Sequence, residues 1–124
     1  VTTVLWVAAG GALGASARYL LGLSMGRLLG FNFPWGTLTA NVLGCFLMGV
    51  LIEMMALRWT IHNDLRAFLA LGVLGGFTTF SSFSAEFANL LARDDYLSAS
   101  FYLIASVGVS IAALFAGLAL ARAI

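Results

Sequence analysis

Lysine is absent from this chain of 124 residues, and proline, cysteine and histidine occur once each. The six cations are arginines, scattered singly at Arg18, Arg27, Arg58, Arg66, Arg93 and Arg122. No basic run therefore exists for nucleic acid or anionic lipid headgroups. The lone Cys45 excludes an internal disulfide and a cysteine metal cluster. Charged residues make up only 9% of the chain and leave a net charge of +1. What fills the space is apolar: 62% of residues are hydrophobic, far from the balance of a soluble domain. So short a chain cannot bury that much apolar surface in itself. The sequence predicts an integral membrane protein, read as one domain over 1–124 with no linker or low-complexity tract. No positive stretch precedes the first apolar run, so a cleaved signal peptide is not expected.

A bilayer core takes about 20 apolar residues per helix, and the charges mark out four such spans. These run over 3–26, 36–57, 67–92 and 97–121, giving an all-α membrane fold. Pro34 suits a helix start. Trp6, Trp35, Trp59 and Tyr96 lie near span ends, where amphipathic rings favour the headgroup layer. Four spans place both termini and the 58–66 loop on one side, with Arg58, Arg66 and Arg122. Arg27 and Arg93 lie opposite, with Arg18 leaning towards them. Arginine asymmetry orients membrane proteins, and here it is almost nil. Either other signals hold one orientation, or copies insert both ways and pair head to tail. Glycines at helical spacing (Gly10 and Gly14; Gly22, Gly26 and Gly30; Gly72 and Gly76) permit close helix packing. They serve packing within one chain or between chains, and a homodimer is expected.

The third span contains "GVLGGFTTFSSFSAEF", residues 72–87, centred on the membrane midplane. Glycine costs about 1 kcal/mol relative to alanine in a helix. Gly75 and Gly76, followed by Thr78 and Thr79, predict a break near mid-membrane. A break exposes carbonyls that hydrocarbon does not satisfy, so neighbouring helices, water or an ion must. One or two hydroxyls could bond back to the preceding turn. Thr78, Thr79, Ser81, Ser82 and Ser84 surround the axis, so some must line an interior. Glu86, one turn beyond Ser82, is a functional candidate because a carboxylate in a span is costly. It pairs with an arginine or neighbouring helix, or it touches a permeant species. Phe80 and Phe83 share a face, and the positive edges of their rings can meet an anion without formal charge.

Asn41 in the second span is either interhelical glue or an amide donor to an anion. Tyr102, Ser106 and Ser110 recur every fourth residue of the fourth span, about 6 Å apart along one face. They form a predicted polar track. Arg18 either snorkels to the interface or draws an anion into a vestibule. His62, in a loop, is expected to be solvated, and Glu53 to lie near the interface. No nucleophile–base pair, metal-ligand spacing or phosphate loop is present, so an enzyme is not expected. The interior set is rich in hydrogen-bond donors and poor in fixed negative charge. It suits a small anion.

"GTLTANVLG" (36–44) and "GVLGGFTTFSSFSAE" (72–86) resemble the second- and third-helix signatures of the Fluc/CrcB family of bacterial fluoride channels. The likeness covers all four spans in order. It implies a dual-topology homodimer in the bacterial inner membrane, with two antiparallel pores passing fluoride passively out of the cytoplasm and conferring fluoride resistance. It also implies a structural Na+ on the dimer axis, held by the carbonyls of Gly75 and Thr78 from each chain. By motif position Asn41, Phe80, Phe83, Ser81, Tyr102, Ser106 and Ser110 would line the pore. Arg18, Thr37 and Glu86 would be vestibule or pore-adjacent residues. The family's polar track continues with a threonine where this chain has Leu114. The alternative is a small-multidrug-resistance-type exporter, coupling protons to a hydrophobic cation. Such proteins use a carboxylate in the first helix, whereas this one has Arg18. A third alternative, a non-transporting assembly or insertion factor, would account for the glycines but not for the donor track.

Overall fold

The structure, a computed structural model, describes residues 2–124. Four helical spans, each long and apolar enough to cross a membrane, run Thr2–Leu29, Trp35–Leu57, Asn63–Ala92 and Tyr96–Ala123. The first two are α1 and α2. The third divides into α3 (63–77) and α4 (Phe80–Ala92), and the fourth span is α5. No strand occurs among the described residues.

Local chemistry sets the helix ends. Gly30, with φ 89°, closes α1 by sending its N–H to Gly26 O at 2.8 Å. Pro34 precedes α2 at the N-cap position. His62 Nδ1 accepts the Leu65 N–H at 3.2 Å to cap α3, and its ring packs edge-on against Trp6. The loop histidine expected to be solvated is therefore exposed but engaged. Asp94 turns the chain at φ 57°, and Asp95 caps α5 through the Ser98 N–H.

Glycine governs how the spans meet. A Cβ at Gly10 would collide with Phe68 O, and one at Gly14 with Val73 O, so α1 lies backbone to backbone on α3. A Cβ at Gly49 would strike Leu114 O, and one at Gly117 would strike Phe46 O, so α2 and α5 lock equally closely. The glycines at 10, 14, 72 and 76 thus serve packing within one chain. Gly49 and Gly117, not singled out in the sequence, do the same for the second helix pair. At one end of that pair Arg122 Nη2 approaches Glu53 Oε2 at 2.6 Å. Large apolar side chains such as Leu13, Leu20, Leu71, Leu97 and Ile104 remain on the outside, where lipid replaces water as solvent.

The third span unwinds, one turn later than the glycine pair alone implies. Gly75, Gly76 and Phe77 stay helical, while Thr78 (φ −87°, ψ 157°) and Thr79 (φ −156°, ψ 126°) are extended. Gly76 is needed for contact instead: a Cβ there would lie 2.9 Å from Gly11 O. Threonine tolerates the extended state that its branched side chain favours.

Candidate functional site

The break reroutes a short run of backbone hydrogen bonds. In a continuous helix the Thr79 N–H would bond Gly75 O, but here it donates to Asn41 Oδ1 at 2.7 Å. Asn41 Nδ2 donates back to Thr79 O at 2.9 Å, so one side chain of α2 grips Thr79 through both its N–H and its carbonyl. The Ser82 N–H would bond Thr78 O, but it donates to Thr79 Oγ1 at 3.1 Å, making Thr79 the N-cap of α4. Arg18 Nε donates to Gly76 O at 3.3 Å. The carbonyls of Gly75 and Thr78 are among those whose helical donors are diverted.

A cleft of about 400 Å³ opens beside this break. Its walls bring together Asn41, Gly75, Thr78, Phe80, Phe83, Ser106 and Ser110 from three spans. Cys45, Thr79, Val107 and Ile111 complete them, and none of these residues is acidic. The hydroxyls of Ser106 and Ser110 are buried without a hydrogen-bond partner. An unmet hydroxyl in a dry interior costs on the order of 1–3 kcal/mol, so a ligand that accepts from it is favoured. Phe83 is 5% exposed and packs 5.4 Å from Phe80 and 5.1 Å from Tyr102, centroid to centroid. Phe80 is 74% exposed on the single chain. Asn41 Nδ2 has two N–H groups; only one is engaged among the described residues.

The remaining candidates fall elsewhere. Tyr102 is fully buried beneath the cleft and donates its hydroxyl to Glu86 Oε1 at 3.1 Å. Glu86 and Thr37 line a second hollow, of about 510 Å³, with Asn32, Asn89 and Arg93. Tyr102 thus touches Phe83 of the cleft wall on one side and bonds Glu86 of the second hollow on the other. Ser81 is exposed, sits 3.3 Å from Thr79 Oγ1 and lies outside the cleft wall. Thr78 Oγ1 bonds back to Leu74 O at 3.0 Å. Of the five hydroxyls in the stretch, those of Thr78 and Thr79 thus serve the backbone. Arg18 belongs to the break, away from the walls of both spaces.

Tyr102, Ser106 and Ser110 are all buried. The helix widens to π-type turns over Ala105–Val109 without scattering them. Cys45 was legible as a neighbour of Asn41, one turn on. The second hollow was not: it depends on the α1–α2 turn folding over the end of α4, which no local pattern announces.

Residues 5–118 match the family described as CrcB-like protein, Camphor Resistance (CrcB). Among curated relatives, a "Fluoride-specific ion channel FluC" from Agrobacterium fabrum is 54% identical, covering 94% of this chain and 93% of its own length. A protein of the same name from Rhodospirillum centenum is 55% identical, with 96% and 94% covered. "Fluoride-specific ion channel FluC 1" from Nitrobacter hamburgensis is 48% identical, with 98% and 96% covered. With four spans, an interrupted third helix and this extent of likeness, the chain belongs to the CrcB family.

Proposed function

We propose that this multi-pass protein of the bacterial inner membrane is a passive fluoride channel and not an enzyme. The observation that carries the reading is the mid-span cleft, where buried hydroxyls without partners and a gripped amide converge with no carboxylate among them. Fluoride is small and tightly hydrated, so a path must replace water's hydrogen bonds in steps weak enough to release the ion. Asn41, Ser106 and Ser110 supply N–H and O–H donors, and the edges of Phe80 and Phe83 supply positive rims. Tyr102, hydrogen-bonded to Glu86, carries the path towards Thr37 and the second hollow. The relatives' printed name, fluoride-specific ion channel, supports the same substrate. A proton-coupled drug exporter is disfavoured: α1 has no carboxylate.

The channel is proposed to act as an antiparallel homodimer with two pores and a structural Na+ between the chains. The donor set fits that ion. Gly75 O and Thr78 O have lost their helical donors to Asn41 and to the Thr79 hydroxyl. Uncharged carbonyl oxygens are suitable ligands for a hard alkali cation. When bound, Na+ would neutralise their partial charge; it takes no part in moving the anion. Phe80 and Gly75 are exposed on the single chain and so are free to meet a second copy.

The test is fluoride efflux. Liposomes loaded with potassium fluoride and containing the purified protein, made permeable to K+ by valinomycin, should release fluoride to an electrode far faster than empty liposomes. A preserved gradient rejects the channel. Ion-coupled uptake of a hydrophobic cation without fluoride release would establish the exporter instead.

A further inference from the structure

We propose that Cys45 is a soft-electrophile site in the wall of the conduit, where an uncharged thiophilic species bonds the sulfur and stops ion passage. The inference rests on the channel reading above and adds an inhibitory ligand class to the same cleft. Cys45 follows Asn41 by one turn of α2 and is a free, half-buried thiol. It lines the 400 Å³ cleft together with Ser106 and Ser110 of α5. Those two serines are each 7% exposed, and their hydroxyls have no partner. The cleft is therefore built to receive a ligand, quite apart from the thiol.

The chemistry of the wall is divided. Its hydroxyl and amide donors match a hard, hydrogen-bond-accepting anion. A thiol offers such an ion only a weak donor, and Cys45 supplies the only soft ligand atom among the lining residues. Charged electrophiles reach a thiol at this depth only at high cost. Mercuric chloride at low chloride concentration is uncharged and crosses hydrocarbon. On reaction the S–H bond and one Hg–Cl bond break, and one S–Hg bond forms. The proton and chloride leave to water, and no atom changes oxidation state. The remaining S–Hg–Cl group stands in the cleft one turn from Asn41, in a wall shared with Phe83.

The protein in liposomes tests this, since Cys45 is the only thiol in these 124 residues. Mercuric chloride should cut fluoride efflux by about tenfold or more through occlusion of a narrow path. Excess dithiothreitol should restore it. Cys45→Ala and Cys45→Ser, each compared with its own untreated flux, should be insensitive. Ser106→Cys placed in the Cys45→Ala background should regain sensitivity from the other wall. Intact-mass measurement should show one chloromercury adduct on the parent protein and none on Cys45→Ala. Failure of the parent to form the adduct overturns the inference, as does an adduct with undiminished flux or equal inhibition of Cys45→Ala. A labelled protein that still conducts rejects only this site. A parent that passes no fluoride before treatment rejects the channel and the site together.

Discussion

Changing Asn41 to Asp replaces one amide NH2 by oxygen, which allows its consequences to be worked separately. The retained oxygen still accepts the Thr79 N–H at 2.7 Å. The new oxygen faces Thr79 O, where Nδ2 had donated at 2.9 Å. Losing that bond costs about 1–3 kcal/mol, within what a stable domain can absorb. The second consequence concerns the anion. An ion passing ~4 Å from a carboxylate meets about 4 kcal/mol of repulsion at an effective dielectric near 20. If that adds to the barrier, efflux falls by about three powers of ten. Asn41→Ala removes both bonds to Thr79 but adds no charge, so its flux should fall less. Initial efflux per incorporated protein, read with a fluoride electrode beside a size-exclusion profile, compares the three forms. Asn41→Asp within tenfold of the parent would refute the pore assignment of this residue. Equal losses in the two variants would show that Asn41 acts only by holding the break open.

Three further outcomes follow from packing and charge. Phe83→Ile keeps an apolar group at a 5% exposed position but removes the ring edge; efflux should drop at least about tenfold, equivalent to ~1.4 kcal/mol, while crosslinked dimer persists. Gly117→Ala puts a methyl against the Phe46 carbonyl, so α2 and α5 must part; the expected destabilisation is about 1–3 kcal/mol, read as a lower unfolding temperature in detergent. The Glu53–Arg122 pair should respond unequally, because the arginine side chain is 71% exposed and the glutamate 12%. Arg122→Gln leaves a buried carboxylate without its ion partner and should lower the unfolding temperature more than Glu53→Gln, which frees an arginine to hydrate.

The spans were legible because membrane helices obey two local rules, apolar length and charged punctuation. Arg58 and Arg93 fell just past helix ends, while Arg66 lies in the first turn of α3. Within the site, Tyr102, Ser106 and Ser110 at every-fourth spacing share one buried face, since a helix repeats its face whatever surrounds it. Ser81 shows the limit of that reasoning. Its place in a hydroxyl-rich stretch suggested an interior role; on the single chain it is exposed beside Phe80, and no spacing says what a second copy would cover. Arg18 shows the same limit: its partner is the Gly76 carbonyl, 58 residues away, and no spacing encodes that meeting.

The position of the break makes the physical point most clearly. Glycine propensity favours Gly75 and Gly76 as the place where helix fails, because each lowers the helix's local stability. Both nevertheless stay helical. What decides is where replacement partners exist. At Thr79, α2 offers Asn41 with an acceptor and a donor on one side chain, and Thr79 offers its own hydroxyl to Ser82. At the glycines, three and four residues earlier, those groups would be about 5 Å further along the helix axis, too far for the same bonds. Gly76 is held helical by a different contact, since a side chain there would push away Gly11 and, with it, the helix carrying Arg18. The glycines bring the neighbours close, and the neighbours then select the residue at which unwinding costs least. Asn41→Ala should therefore loosen the break at Thr78 and Thr79, with faster amide hydrogen exchange at Thr79 and Ser82, while α1 remains packed on α3; unchanged exchange at both amides would refute that division of labour.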